Sequence, residues 1–471
     1  MNKYRPTIGL EVHAELKTQT KMFCDSLNDP DEKHPNVNVC PVCLGHPGTL
    51  PVANKKAIES VIRIGIALQG VPSAECRFDR KNYFYPDLPK AYQISQSGKP
   101  IISGGTLRNI KINHIHLEED AARLAHDDAF GGTLVDFNRA GVPLMELVTE
   151  PDIHTAEDAV AFMKDLQLVL RYLGVSDADL EHGQMRADAN ISLSATDVLG
   201  TRAEIKNLNS FRSVFHAINY EIKRQTEILE SGKTVHQETR GWDEAEQKTT
   251  SQRSKEEAQD YRYFPEPDMP PFTTDIFDVE RLRAELPELP VARMVRLQKE
   301  YALNPAQAEL LVGESALAEF FENAVSELRM DIPDAKASTL YNYLTSDLRG
   351  LMREAEVSFG EGKIKPEHLA HLASLVDGGK IMSRQAKNML ARMFETGLDP
   401  EDVMKNENIG ISDTSEIEAV VLAVIAENHT AVADYKKGKM ASLQFLIGKA
   451  MGILKGRARP DMLTEIFEKN L

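Results

Sequence analysis

Between residues 8 and 16, apolar Ile8, Leu10, Val12, Ala14 and Leu16 alternate with Gly9, Glu11, His13 and Glu15. A period of two marks a strand with one buried face and one open face. This segment constrains the fold most, because its open face aims Glu11 and His13 in one direction, two residues apart. The same alternation returns where Asp188, Asn190 and Ser192 interleave with Ala189, Ile191 and Leu193, and again in Arg202-Ala203-Glu204-Ile205-Lys206. Three half-buried strands therefore present carboxylate, amide or amine groups on their polar faces. Residues 58–68, 155–173 and 213–229 have helical spacing and are expected to brace that sheet.

The pattern changes after a proline-rich passage, Tyr263-Phe264-Pro265-Glu266-Pro267-Asp268-Met269-Pro270-Pro271, which suits neither a central strand nor a helix. A second break, Glu285-Leu286-Pro287-Glu288-Leu289-Pro290, precedes a remainder that reads as helical. There Asn304-Pro305 offers an N-cap followed by proline at the first helical position. A weaker break lies at Gly397-Leu398-Asp399-Pro400. The expectation is an α+β protein: a mixed or antiparallel-sheet cradle over 1–292, a helical domain over 293–400 and a helical tail over 401–471.

With 471 residues, 42% hydrophobic and 27% charged, the chain has the composition of a folded multi-domain protein. The N-terminus, Met1-Asn2-Lys3-Tyr4-Arg5-Pro6, lacks the apolar core of a signal peptide, so a cytoplasmic setting with reduced thiols is expected. A formal charge of −17 argues against a general nucleic-acid coat protein. The tail differs: Lys436, Lys437, Lys439, Lys449, Lys455, Arg457 and Arg459 occur there with no acidic residue between them. Such a patch suits one defined polyanion, or is simply a solvated helix face.

All four cysteines fall early in the chain, at Cys24, Cys40, Cys43 and Cys76. A C-x-x-C knuckle supplies two of the four soft ligands of tetrahedral zinc, and Cys24 and Cys76 would complete the set. A redox dithiol and ordinary buried thiols are the other readings. Glu11, His13, Glu118, Glu119, Asp120, Glu146, Glu150, Asp188 and Glu204 are candidates for a hard-metal site, such as Mg²⁺ holding nucleotide phosphates; each alone is as readily a surface charge. In Arg80-Lys81-Asn82-Tyr83-Phe84-Tyr85-Pro86-Asp87 and Lys90-Ala91-Tyr92-Gln93, aromatics between amines suit a nucleotide or a tRNA end, or form a plain turn. Ser231-Gly232-Lys233-Thr234 imitates the end of a P-loop, but Glu227 stands where the first glycine belongs.

Long motifs then carry a resemblance. Residues 8–16 (Ile-Gly-Leu-Glu-Val-His-Ala-Glu-Leu), 78–87 (Phe-Asp-Arg-Lys-Asn-Tyr-Phe-Tyr-Pro-Asp) and 89–96 (Pro-Lys-Ala-Tyr-Gln-Ile-Ser-Gln) resemble the B-subunit (GatB) family of the aspartyl/glutamyl-tRNA(Asn/Gln) amidotransferases. So do His116-Leu117-Glu118-Glu119-Asp120, Asp136-Phe137-Asn138-Arg139, Met185-Arg186-Ala187-Asp188-Ala189-Asn190, Glu204-Ile205-Lys206-Asn207-Leu208-Asn209-Ser210, Gln237-Glu238-Thr239-Arg240 and the run from Asp260 to Asp268.

The resemblance implies a glutamine-hydrolysing, ATP-dependent carbon–nitrogen ligase that works with an amidase A subunit and a small C subunit. ATP would phosphorylate the side-chain carboxylate of Glu-tRNA(Gln) or Asp-tRNA(Asn). Ammonia released from glutamine by the A subunit would then displace the phosphate. It implies Mg²⁺ on Glu11, His13 and Glu150, with Asp188 and Glu204 as further candidates. Arg80, Lys81, Tyr83 and Lys206 would face the nucleotide. Glu119 and Lys81 would form a charged pair at the mouth of an ammonia channel. The tail residues Lys436, Lys437, Lys439, Lys455, Arg457 and Arg459 would hold tRNA. A structural zinc on Cys24, Cys40, Cys43 and Cys76 is read from these cysteines themselves, since family members without them exist, and would have a supporting role. A non-catalytic, zinc-containing tRNA scaffold would keep the cysteines and basic tail yet need neither the Glu11/His13 pair nor ATP.

Overall fold

The alternating N-terminal segment forms β1 (Arg5–Glu15), and its apolar residues Ile8, Leu10, Val12 and Ala14 are buried in the core. There follow α1 (Lys55–Ala67), β2 (Val71–Pro72), β3 (Asp79–Asn82), β4 (Tyr92–Ser95), β5 (Ile102–Ser103), β6 (Thr106–Leu107) and β7 (Ile110–Glu119). A hairpin of β8 (Arg123–Asp127) and β9 (Gly132–Asp136) leads to β10 (Pro143–Thr149), α2 (Ala156–Tyr172), β11 (Met185–Ser194), β12 (Ala203–Leu208) and α3 (Phe211–Glu230). The last strands are β13 (Glu238–Asp243), β14 (Lys248–Ser254) and β15 (Phe264–Pro265). This computed structural model describes residues 3–29, 32–127, 131–254, 260–407, 414–454 and 457–471.

Ten strands form one sheet in the order β14-β13-β12-β11-β1-β10-β7-β5-β2, with β6 added on β7. Neighbours are antiparallel except β12 and β13. A parallel pair needs a crossover, and the 20-residue α3 supplies it between those two strands. The sheet is therefore mixed, and with its helices it gives the expected α+β class. Each long helix starts where a side chain satisfies free N–H groups: Asn54 accepts from Lys56 and Ala57, Thr155 from Asp158, Ser210 from Ser213. Buried residues of α1, α2 and α3 join the apolar sheet face in one core. That leaves the opposite face, with Glu11 and His13, open.

The proline-rich passage contributes only β15, which pairs with β3 beside β4 in a separate three-stranded sheet. Chain contacts divide the molecule into two units, Met1–Pro290 and Val291–Leu471. In the second, helices run from Pro290–Tyr301 to Pro460–Asn470. Asn304 makes a capping box with Gln307, with Pro305 in the first turn. Ile417, Val421, Val424, Leu443, Leu446 and Phe467 belong to a buried cluster of their own. No helix among the described residues is long and apolar enough to cross a membrane.

Candidate catalytic face and thiol site

Register decides which polar residues meet. On β1, His13 lies opposite Glu146 of β10 and Arg186 of β11, while Glu11 lies opposite Asp188. One strand further, Glu146 faces His116 of β7 and Leu144 faces Glu118. Residues far apart in sequence thus converge on the open face. Potential ligand atoms of His13, Glu118 and Glu146 lie within 4.8 Å of one another, as do those of Glu11, Asp188 and Glu204. The Nε2 atoms of His13 and His116 stand 3.3 Å and 3.2 Å from Glu146. The neighbouring group is bridged by Lys206, 3.2 Å from Asp188 and 3.1 Å from Glu204. Asn190 donates to Glu11 at 2.9 Å, and Thr239 donates to Glu204 at 2.9 Å.

Burial and crowding set the charges. Burial, then the charges of Glu146, Glu204 and Asp188, pushes the Glu11 carboxyl above its ordinary range. Burial opposes a charge on His116, yet Glu146 and Glu118 prevail and raise it to about 10. His13 is raised in the same way, burial opposing and Glu146 prevailing. Burial opposes a charge on Glu146 too, and the two imidazoles hold it well below the usual range. The Nδ1 atoms of His13 and His116 are buried and have no hydrogen-bond partner. Two carboxylates and an imidazole within ligand reach of one another fit a divalent cation; Glu11, Asp188 and Glu204 offer oxygen only, the preference of a hard one.

Several expected residues fall elsewhere. Glu150 is in neither group; it accepts from Asn113 at 2.6 Å. The extra residue at the Val148/Thr149 irregularity is Asn113 on β7, and Glu150 lies just beyond the end of β10, whereas Glu146 is the β10 carboxylate placed opposite His13. Glu119 is paired with Lys90, not Lys81: both carboxylate oxygens lie 2.5 Å from the Lys90 ammonium, and Ile94 N–H also donates to Glu119. Lys81 instead lies against the rings of Tyr261 and Tyr83, and the charges of Glu118 and Glu146 hold it protonated against burial. Arg80 makes two hydrogen bonds to fully buried Glu266 and stacks on Tyr92. Arg80 therefore braces β3 against the Glu266 loop. Of the polar side chains beside these groups, the sequence singles out neither His116 nor Arg186 as a site residue, and Lys90 only as one amine of a segment suited to a nucleotide. His116 had a signal, since His114, His116 and Glu118 alternate with Ile115 and Leu117.

The cysteines separate as three and one. Ligand atoms of Cys24, Cys40 and Cys43 lie within 4.8 Å of one another. Cys76 is not with them; it is fully buried in the core, with its thiol against the carbonyls of Ser73 and Pro100. Around the knuckle, Cys40 N–H donates to Cys43 Sγ at 3.1 Å, and Gly45 closes the turn at φ 67°. Lys21, wholly buried, donates to Phe137 O at 3.1 Å and approaches Cys43 Sγ at 3.9 Å. A hydrogen bond from Cys24, with help from Cys40 N–H and Lys21, holds Cys43 down to about 4, against burial. Cys24 and Cys43 line a cavity of about 230 Å³ that also meets His46, Lys90, Glu119 and Gly141.

In the tail, partners come from outside the basic window. Lys439 pairs with Asp434 at 3.1 Å, Arg457 with Glu416 at 2.6 Å, and Arg459 with Asp461. Lys436 and Lys437 flank the helix end before Gly438, and Lys455 lies outside the described residues.

A cradle of this kind, a mixed sheet with acids, imidazoles and amines on one face, has groups of side chains that could hold a divalent cation. Residues 6–278 match the GatB/GatE catalytic domain, and residues 319–471 match the GatB domain. Relatives named as the B subunit of aspartyl/glutamyl-tRNA(Asn/Gln) amidotransferase are 46% identical in Thermomicrobium roseum, 44% in Carboxydothermus hydrogenoformans and 43% in Brevibacillus brevis. Each alignment covers 100% of this chain and 99% of the relative. The chain belongs to the GatB family of amidotransferase subunits, and with it to the ligases of aminoacyl-tRNA amidation.

Proposed function

We propose that this chain activates the side-chain carboxylate of Glu-tRNA(Gln) or Asp-tRNA(Asn) with ATP and hands it to ammonia. It would do so as the B subunit of a complex with an amidase A subunit and a small C subunit, in the cytoplasm. A carboxylate is a poor electrophile because its leaving group would be oxide. Transfer of the terminal phosphoryl group gives an acyl phosphate and ADP; attack by NH₃ then releases phosphate and leaves the amide. The convergence of His13, Glu118 and Glu146 beside Lys81 carries this reading, since phosphoryl transfer needs position and charge neutralisation above all.

Glu118 and Glu146, with the all-oxygen set Glu11, Asp188 and Glu204 beside them, would hold Mg²⁺, which would neutralise and orient the ATP phosphates. Lys81, kept charged in its ring of tyrosines, reaches for phosphate oxygens from the same side. Lys206, bound between Asp188 and Glu204, offers a second ammonium nearby. Glu119 can take the proton from NH₄⁺, since only neutral ammonia is nucleophilic; Lys90 is the cation that holds it. Cys24, Cys40 and Cys43 would hold a supporting zinc, and Lys436 and Lys437 would meet tRNA phosphates.

The test is phosphate release by this chain copurified with its A and C partners, given Glu-tRNA(Gln), Asp-tRNA(Asn) or uncharged tRNA. Stimulation by a misacylated tRNA alone, abolished by Glu146→Gln, is expected. Tight tRNA binding without stimulation would leave a scaffold instead.

A further inference from the structure

The thiol group has three corners of a tetrahedron. A zinc–sulfur bond of about 2.3 Å requires neighbouring donors about 3.8 Å apart. Cys40 Sγ lies 3.9 Å from Cys43 Sγ, so this edge is already at the separation a bound ion would impose. Among the described residues, a side-chain oxygen that can ligate stands at such a distance: Ser26 Oγ, 3.8 Å from Cys43 Sγ. Ser26 is carried there by the same turn as Cys24. Lys21 N–H donates to Ser26 O at 2.9 Å, and Thr20 bridges Leu27, so Cys24 and Ser26 ride together against the Cys40–Cys43 knuckle.

We infer that the fourth corner of this site belongs to the Ser26 hydroxyl, making it a three-thiolate, one-oxygen site for a zinc-type ion. The inference rests on the reading of the cysteines as metal ligands. Charge supports a neutral fourth donor. Three thiolates and a divalent ion leave one negative charge, which the buried Lys21 ammonium balances at 3.9 Å from Cys43. A fourth thiolate would leave a second negative charge unmatched in the same place. Lys21 itself cannot take the corner, because an ammonium has no lone pair and this one already donates to Phe137 O. Cys76 is held in the core by its own contacts. His46 lies on the wall of the cavity beside Cys24 and Cys43 but is outside the group of ligand atoms within reach of one another.

Zinc-edge X-ray absorption on the full-length chain, stripped of metal and reloaded with one equivalent of zinc, counts the donors directly. The expected shell is three sulfurs and one lighter atom, becoming four sulfurs in Ser26→Cys. Cobalt loading separates serine from water. The visible spectrum of the wild-type Co²⁺ form should ignore added imidazole, whereas that of Ser26→Ala should shift, with zinc held about tenfold more weakly in chelator competition. His46→Ala should leave both spectra unchanged. A four-sulfur shell in the wild type, an imidazole-sensitive wild type, or a Ser26→Cys protein that keeps three sulfurs would each overturn the assignment. Failure to retain any zinc would instead remove the metal reading on which it rests.

Discussion

The thiol group and the His13 group of the cradle are assembled by opposite means. Cys24, Cys40 and Cys43 come together within 20 residues, through one turn and one knuckle, and the C-x-x-C announces them. His13, Glu118 and Glu146 are drawn from three strands and meet only because β10 sits between β1 and β7 in one register. A local site can be read from spacing. A sheet-face site depends on every residue that sets the register, so one irregularity redirects a side chain. The largest expected effect tests this difference. Glu146→Gln should lower tRNA-stimulated ATP turnover by roughly 10²–10³-fold, as losing a charge-stabilising group does, while Glu150→Gln should stay within about threefold. Equal losses in steady-state assays would mean that position along β10, opposite His13 or beyond the strand end, does not separate the two roles.

The thiol side of the comparison predicts a sharper division of labour. Cys43→Ser should weaken zinc binding by at least about a hundredfold, because the residue at the centre of the knuckle would lose its thiolate. Cys76→Ala should keep full zinc stoichiometry, costing instead about 1–2 kcal/mol of stability from a small core cavity. Metal analysis and denaturant unfolding of both variants decide the matter; zinc lost from Cys76→Ala would restore the four-cysteine reading.

How far the sequence could be read follows from the same contrast. The period-two pattern placed β1 and the polar faces of β11 and β12, and helical spacing placed α1, α2 and α3 within a few residues. These depend on local burial alone. Partner choice does not. Lys81 and Lys90 both lie well before Glu119 in the chain, on a hairpin whose turn takes Ala91 to φ 61°, and only the folded hairpin delivers Lys90 to the carboxylate. The exclusion of Cys76 was equally hidden, since its fate follows from packing between Phe272 and the Pro100 carbonyl rather than from spacing. Lys81→Met then tests the reassigned lysine: with its ammonium aimed at phosphate, the KM for ATP should rise about tenfold. An effect on ammonia use alone, seen as lost coupling between glutamine hydrolysis and amide formation, would return Lys81 to the channel.

The smallest expected effect lies in the tail, where ion pairs divide an apparently uniform run of cations. Lys439, Arg457 and Arg459 already have carboxylate partners, so releasing them to bind phosphate forfeits an existing contact. Lys436 and Lys437 are exposed at the C-terminal end of the helix His429–Lys436, and no ion pair ties either of them among the described residues. Each phosphate contact contributes about 0.7–0.9 to the slope of log affinity against log salt. Lys436→Ala combined with Lys437→Ala should therefore flatten that slope by roughly 1.5 and weaken tRNA binding several-fold at low salt. Lys439→Ala alone should barely move it. Titrations at two salt concentrations distinguish the residues, and an unchanged slope in the double variant would place the tRNA contacts on another part of the protein. The reverse order, with Lys439 dominant, would mean that Asp434 gives way when the polyanion arrives.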